Sequence, residues 1–217
     1  MKRTPKELLV RVLILMAGLV IAHLGVTLFL LADLGADPFN VFVQGVFRTL
    51  EKAFTHPLLT HGNVHVVISL IIIAVLLFVD RSYVKIGTLL CMIFGGPIID
   101  GFTWLLTPVY AAVTALWFRV ITLALGCVIL AFGMSIVIKS DAGTGPNDLV
   151  AVVISDKIGK KFSIIRVIVD FSFVLVGFLL GGKFGAGTII CAFLVGPTAG
   201  FFLPRVEKTV GRIIGKI

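Results

Sequence analysis

Two short polar stretches, DLGADPFN (residues 33–40) and DAGTGPND (residues 141–148), stand out in this apolar chain. Each stretch follows a long apolar run, and each combines acidic residues with glycine and proline. Glycine and proline interrupt regular secondary structure, so the backbone is expected to leave its helix at both places. Because the same interruption occurs twice in the same context, the sequence predicts a duplicated architecture.

The composition around these stretches is that of an integral membrane protein. Hydrophobic residues make up 59% of the 217 residues, charged residues make up 14%, and the mean hydropathy is +1.14. Soluble domains average about 45–50% apolar and about 25% charged residues. Several apolar runs approach the length that crosses roughly 30 Å of hydrocarbon. We therefore expect a single membrane domain over residues 1–217 and no separate soluble domain.

The two polar stretches belong to longer related segments. Residues 11–41 and 119–149 are identical at ten of 31 aligned positions. Composition alone would give roughly two or three identities in such a window. A second pair of segments, GTLLCMIFGGP (87–97) and GTIICAFLVGP (187–197), follows in the same order. Two matched pairs in one order indicate an internal duplication.

The duplication predicts two copies of a three-helix unit, over residues 8–108 and 113–204. Membrane-spanning helices are expected at 8–31, 64–80, 86–106, 113–138, 164–182 and 185–204. Each copy also has a short helix, beginning at Pro38 or at Pro146, that is too short to cross and is expected to be re-entrant or interfacial. The predicted fold class is an all-α polytopic membrane bundle of about six transmembrane helices. A basic cytoplasmic tail is expected at 205–217.

An odd number of spans in each copy inverts the second copy relative to the first. With the N-terminus inside, 15 Lys and Arg residues fall on the cytoplasmic side and four fall outside. A version with parallel copies, in which the short helices also cross, gives the same charge count, so the positive-inside rule does not separate the two. The length of the short helices favours the inverted version. Both versions place the two termini in the cytoplasm, and the basic clusters are expected to flank spans rather than to bind nucleic acid.

Charged groups in hydrocarbon are costly and usually mark a pathway or a binding site. The candidates for a solute or ion site are the polar residues Asp33, Asp37, Asn40, Asp141, Asn147 and Asp148. Irregular backbone survives in a bilayer only where protein or water surrounds it. A helix N-terminus at such a break favours an anion, whereas the nearby carboxylates favour a cation or a proton. The alternative interpretation is that both stretches are surface turns in which aspartate caps a helix.

Candidates for coupling groups lie inside the predicted spans: Asp100, Arg166, Asp170 and His23. Asp170 follows Arg166 by one helical turn, which permits either a neutralised pair or a proton-coupling carboxylate with Arg166 as its partner. His23 is open to two interpretations, a proton relay or a histidine that is hydrogen-bonded within the bundle. Gly200 stands opposite Asp100 in the repeat, so the fold itself does not require the carboxylate.

The sequence lacks the signatures of the common enzyme classes. It contains no GxSxG, no HExxH, no Walker loop and no GxGxxG after a strand, so no catalytic residue is assigned and no enzymatic activity is expected. The cysteines lie in apolar runs without metal-ligand spacing, so neither a metal site nor a cofactor is expected. Glycines spaced by seven residues, Gly18 and Gly25 and again Gly126 and Gly133, are expected to let helices approach closely.

At the stretches LGADPFN and AGTGPND, together with the two GTxxCxxxxGP segments, the sequence resembles the YczE-like group of bacterial membrane proteins, which is related to the YitT family. The resemblance covers nearly the whole chain. It implies a small multi-pass protein of the bacterial inner membrane, and it carries no binding residue over to this sequence.

Two functions from different classes are consistent with these patterns. The first is a small secondary transporter or permease for a small polar solute, in which Asp33, Asp37, Asp141 and Asp148 line a central site between two rocking halves. The second is a non-transporting membrane helper or scaffold that docks a partner protein through its basic cytoplasmic face. The lipid bilayer is the expected environment, and a homo-oligomer or a partner membrane subunit stays open.

Overall fold

The computed structural model describes residues 4–35, 37–53, 59, 61–111 and 115–215, and over these ranges the chain forms eight α-helices and no strand. The helices are α1 (Pro5–Ala32), α2 (Pro38–Ala53), α3 (His61–Val79), α4 (Ile86–Ala111), α5 (Leu116–Ser140), α6 (Pro146–Ile158), α7 (Phe162–Leu179) and α8 (Ala186–Ile214). Five of them, α1, α4, α5, α7 and α8, are long and apolar enough to cross a membrane, and Asn63–Val79 within α3 is a shorter apolar helix. The prediction of an all-helical membrane bundle is confirmed.

The predicted spans coincide closely with the helices except at two C-terminal ends. α4 continues beyond residue 106 to Ala111, and α8 continues beyond residue 204 to Ile214. Each of these helices contains two prolines, Pro97 and Pro108 in α4 and Pro197 and Pro204 in α8. Prolines are tolerated within membrane helices, so they did not end α4 or α8. The basic segment that begins at residue 205 is therefore continuous with α8 up to Ile214.

α1 and α5 form an antiparallel pair at the centre of the bundle. A Cβ atom added to Gly25 of α1 would lie 2.6 Å from the carbonyl oxygen of Gly126, and one added to Gly133 of α5 would lie 2.7 Å from the carbonyl oxygen of Gly18. The two backbones thus touch at the predicted glycines, which confirms their role in close packing. Because the pair is antiparallel, the C-terminal ends of α1 and α5 lie at opposite ends of the bundle.

The other helices surround this central pair. α4 packs against α1, and α8 packs against both α5 and α7. α2 lies mainly against α7, whereas α6 contacts α7 and α3. The largest buried cluster includes Phe29 of α1, Leu123 and Met134 of α5, and Val195 of α8. The core of the fold is therefore formed by α1, α5 and α8.

α1 and α5 end with the same backbone turn. Asp33 and Asp141 are the C-caps, with left-handed φ angles of 52° and 56°. Two residues later, Gly35 and Gly143 have φ angles of 140° and 135°, a conformation that favours glycine over residues with a side chain. The two polar stretches of the sequence therefore fold alike.

Each of these turns is hydrogen-bonded to a helix of the other half of the chain, where α1–α4 form the N-terminal half and α5–α8 the C-terminal half. The backbone N–H of Gly187, at the start of α8, donates to the carbonyl oxygen of Leu34 at 2.9 Å. The backbone N–H of Gly87, at the start of α4, donates to the carbonyl oxygen of Ala142 at 2.8 Å. The Gly-Thr segments that the sequence repeats thus satisfy the carbonyl groups of the two breaks.

Candidate functional site

A central cavity of about 360 Å³ is lined by residues from all eight helices. Its apolar wall comes mainly from α1, α4 and α5, and its polar groups come from the first turns of α2 and α6, from α3 and from α7. Asp37 and Asn40 line it on one side, and Asn147 and Asp148 line it on the other. Cavities of about 300–1,000 Å³ with a few convergent polar groups are typical binding sites for small molecules.

A buried ion network joins α6 and α7 beside this cavity. Arg166 lies between two carboxylates, with its Nη1 atom 2.5 Å from Oδ1 of Asp148 and its Nε atom 2.8 Å from Oδ2 of Asp170. Arg166 is 7% exposed and Asp170 is 1% exposed. The predicted pairing of Arg166 with Asp170 is present, whereas the link to Asp148 was not predicted. Buried charges of this kind are tolerated only when they are paired and hydrogen-bonded.

The two short helices begin with an aspartate and an asparagine that bind each other. In α2, the backbone N–H of Asn40 donates to Oδ1 of Asp37 at 3.2 Å, and the side-chain amide donates to Oδ2 at 2.6 Å. In α6, the side-chain amide of Asn147 donates to Oδ1 of Asp148 at 3.1 Å. No salt bridge within the described part of the chain reaches Asp37. Among the described residues, the Asp37 carboxylate therefore accepts hydrogen bonds from Asn40 and has no cationic partner.

His23 lines the α1 side of the cavity. Its Nδ1 atom donates to the carbonyl oxygen of Leu19 at 2.8 Å, because a carbonyl oxygen can only accept. Its Nε2 atom faces α4, where a Cβ atom added to Gly95 would lie 2.8 Å away. His23 is thus hydrogen-bonded within the bundle, as one of the two interpretations expected, and it also lines the cavity.

Two cavity residues on α3, His65 and Ser69, were not predicted. The His65 ring packs edge-on against the Phe39 ring, with 5.2 Å between the centroids. Ser69 is 3% exposed and makes no hydrogen bond to another residue that the structure describes. The two residues are four positions apart in an apolar segment, which places both on one helix face. That spacing is the signal by which the sequence could have identified them.

Asp33 and Asp141 do not line the cavity, so the prediction that they share a central site with Asp37 and Asp148 is wrong. The Asp33 side chain is 87% exposed, and its Oδ2 atom lies 3.6 Å from Nη1 of Arg119. Asp141 pairs with Lys85, and its Oδ2 atom lies 3.5 Å from Nη1 of Arg11. Both aspartates cap the C-terminal ends of antiparallel helices, and this geometry separates them by the length of the bundle.

Asp100 lies outside the cavity as well, exposed on α4. Around it, α4 differs from its counterpart α8. A Cβ atom added to Gly196 of α8 would lie 2.7 Å from the carbonyl oxygen of Ser163 on α7, whereas a Cβ atom added to its counterpart on α4, Gly96, would meet nothing within 4 Å. α8 is therefore packed against α7, and the corresponding face of α4 is open.

A larger basin of about 830 Å³ lies at the end of the bundle where α5 ends. Charged residues of both signs line it, among them Arg11, Lys85, Asp141 and Glu207. The segment 143–149 lies between the basin and the central cavity: its residues 143, 144 and 149 line the basin, and its residues 145–148 line the cavity. The start of α6 is thus a thin partition between two polar spaces.

Comparison with known proteins identifies relatives along nearly the whole chain. Residues 9–204 match the family described as "Family of unknown function (DUF6198)". The chain is 30% identical over 201 residues to the "Uncharacterized membrane protein YczE" of Bacillus subtilis strain 168, which covers 92% of this chain and 88% of that protein.

The present chain is also 30% identical over 197 residues to an "Uncharacterized protein" of Haemophilus influenzae, and the match covers 90% of this chain and 84% of that protein. A third relative, the "Uncharacterized protein YyaS" of Bacillus subtilis strain 168, is 25% identical over 194 residues, covering 88% of this chain and 91% of that protein. No solved structure matches the chain. The expected resemblance to the YczE-like group is confirmed, and this membrane protein belongs to the family of unknown function DUF6198.

Proposed function

We propose that this protein is a small secondary transporter of the bacterial inner membrane and that a small polar solute passes through its central cavity. The observation that carries the proposal is the convergence of both short helices on one cavity of about 360 Å³, with Asp37 at the start of one and Asp148 near the start of the other. Ionisable groups inside a membrane bundle usually mark a pathway for a solute or an ion. No catalytic role is proposed for any residue.

In this proposal the chain crosses the membrane six times as an inverted repeat, and α2 and α6 enter it only part of the way. Reciprocal contacts between the halves support the repeat. Arg11 of α1 lies 3.5 Å from Asp141 at the end of α5, and Arg119 of α5 lies 3.6 Å from Asp33 at the end of α1. In this proposal both termini, and the basin at the end of α5, lie on the cytoplasmic side, which the positive-inside rule favours.

The unequal packing of the two halves supports an alternating mechanism. α8 is closed on α7 through Gly196 and Gly200, whereas Gly96, the counterpart of Gly196 on α4, faces open space. In transporters built from inverted repeats, the two halves exchange such conformations during transport. The second state would therefore close α4 on α3 and bring Asp100 to Asn63, the counterpart of Ser163.

A pair of matched cysteine cross-links tests this mechanism. Ser163→Cys with Gly200→Cys probes the closed α7–α8 face, and Asn63→Cys with Asp100→Cys probes the equivalent α3–α4 face, each in a background without the natural cysteines. A disulfide requires about 3.8 Å between Cβ atoms, so α7 and α8 must move apart by about 1 Å from the 2.8 Å at Ser163 and Gly200 for this bond to form. The first pair should form in native membranes, and the second should form in the fraction of molecules that have exchanged conformations.

A control and a contrary outcome complete the experiment. Phe78→Cys with Asp100→Cys should not cross-link, because Phe78 is near the other end of α3 and 91% exposed. If the Asn63–Asp100 pair stays unlinked under every condition while the Ser163–Gly200 pair forms fully, the halves do not exchange and the transport proposal fails.

The alternative function is a non-transporting helper that docks a partner through its basic cytoplasmic face. Its C-terminal arm is exposed at Arg205, Lys208 and Arg212 of α8. This function makes no use of the cavity, so paired replacement of Asp37 and Asp148 by asparagine should leave it intact. Loss of function in a folded, inserted Asp37→Asn/Asp148→Asn variant would instead favour transport.

A further inference from the structure

The polar groups around the central cavity carry more negative than positive charge. Two carboxylates, Asp37 and Asp148, line the cavity together with Arg166. A third, Asp170, lies outside the lining and binds Arg166, so Arg166 is one cation bound between two carboxylates. Two histidines also line the cavity, and the imidazole of His23 already donates to the backbone. Asp37 has no cationic partner within the described residues. Asp37 is half-buried, and a carboxylate withdrawn from water without a counter-charge is costly, so the cavity is suited to a ligand that brings positive charge.

A second observation, independent of the carboxylates, also indicates a ligand. Ser69 is 3% exposed and lines the cavity, and none of the hydrogen bonds within the described part of the chain involves its hydroxyl. Buried hydroxyl groups are normally hydrogen-bonded, so an unpartnered one at a cavity wall is expected to bind the occupant of the cavity. A serine hydroxyl oxygen can accept a hydrogen bond from an N–H donor.

The remaining walls favour an organic ligand over a metal ion. The rings of Phe29 and Phe39 line the cavity, together with aliphatic side chains of α1 and α5. Aromatic faces attract ammonium groups and accommodate their carbon substituents. Among the described residues, no group of three or more His, Cys, Asp or Glu side chains could hold a metal ion.

We propose that the central cavity binds a small organic cation, a primary ammonium ion with a short apolar substituent. Its ammonium group lies between Asp37 and the pair formed by Asn147 and Asp148, and it donates a hydrogen bond to Ser69. Its carbon substituent lies against the phenylalanine rings. This inference rests on the proposed function only in taking the bound molecule to be the transported one.

The test compares three probes of one shape at equilibrium: n-butylammonium, n-butanol and n-butyrate. Isothermal titration calorimetry with the full-length protein in dodecylmaltoside micelles measures the affinity for each. Butylammonium should bind saturably and at least tenfold more tightly than either analogue. Stronger binding of butyrate, equal binding of butanol, or no binding of any probe would overturn the proposal.

A matched pair of variants locates the binding site. Asp37→Asn should weaken butylammonium binding at least tenfold, whereas Asp33→Asn, the same replacement at a residue outside the cavity, should leave it unchanged. Equal effects of the two variants would place the cation elsewhere and overturn the assignment. If Asp37→Asn does not fold, the comparison of the three probes on the unmodified protein still decides the sign of the ligand.

Binding and transport measurements together distinguish failure of the cation site from failure of the proposed transport function. Butylammonium that binds in micelles but is not carried into proteoliposomes would retain the cation site and refute transport. Cross-linking that shows exchange between the two states, together with tighter binding of butyrate, would retain transport and refute the cation site.

Discussion

Replacement of Gly25 by alanine tests the contact between the two central helices. The added Cβ atom would lie 2.6 Å from the carbonyl oxygen of Gly126 and 2.8 Å from the Cα atom of Leu130, both on α5. The backbone nitrogen of Leu130 would be nearer still. Since ordinary van der Waals contact begins near 3.4 Å, α1 and α5 must separate by about 1 Å at this point. Overpacking of this kind costs roughly 1–3 kcal/mol of the free energy of unfolding.

Gly101→Ala is the matched control for this substitution. Gly101 also lies within a helix, α4, but a Cβ atom added there meets nothing within 4 Å. Alanine is intrinsically better than glycine in a helix by about 0.5–1 kcal/mol, and this gain applies to both variants. The difference between Gly25→Ala and Gly101→Ala therefore isolates the steric cost.

The assay is unfolding of the purified protein in dodecylmaltoside micelles by added dodecyl sulfate, followed by far-ultraviolet circular dichroism. Gly25→Ala should unfold at a lower dodecyl sulfate fraction than the wild type, and Gly101→Ala should unfold at the same or a higher fraction. Equal midpoints for the two variants would show that α1 and α5 do not touch at Gly25, and the packing argument for the whole central pair would fail.

Two further predictions concern charged groups. Arg166→Met leaves the buried Asp170 unpaired and should lower the free energy of unfolding by about 3–5 kcal/mol in the same assay. Adding Asp170→Leu to this variant should restore part of that loss. A double variant that is no more stable than Arg166→Met would show that the unpaired carboxylate carries no net penalty. Outside the membrane-spanning helices, hydrogen bonds from Ser82 and then from Lys157 lower the pKa of Asp80 from 3.8 to about 2. Because the folded pKa lies below the unfolded one, the contact of Asp80 with α6 stabilises the protein above about pH 4 and is lost as the pH falls through about 2. Hydrogen–deuterium exchange should show stronger protection in the wild type than in Asp80→Asn at neutral pH, and this difference should be about halved near pH 2. A difference that persists unchanged at pH 2 would refute the ion-pair explanation.

Patterns within short stretches of sequence predicted the features that are determined within a single helix. The apolar runs predicted the long helices, and the seven-residue glycine spacing predicted the touching faces of α1 and α5. Arg166 and Asp170 were correctly paired because a separation of one helical turn fixes their geometry within a single helix. The span predicted at 185–204 ends before the basic residues begin, whereas α8 continues through Pro204 to Ile214.

Which polar residues line the central cavity depends on backbone conformation and on contacts between helices, and sequence patterns do not reveal either. The stretch 33–40 contains two aspartates, and one of them, Asp33, ends a helix in the left-handed conformation while the other, Asp37, caps the next helix and lines the cavity. Residue type alone does not distinguish these roles. The bond from Arg166 to Asp148 joins two helices across a tertiary contact, so periodicity could not reveal it.

The hydrogen bond from Gly187 to Leu34 has a consequence for biosynthesis. The Leu34 carbonyl leaves the ribosome early, but its N–H partner belongs to α8, 153 residues later. Until α8 has been inserted, this carbonyl needs a substitute donor, either water or the insertion machinery, because lipid provides none. Truncation before residue 187 should therefore leave the first turn open and recognisable to membrane quality-control proteases, however well the preceding helices have been inserted.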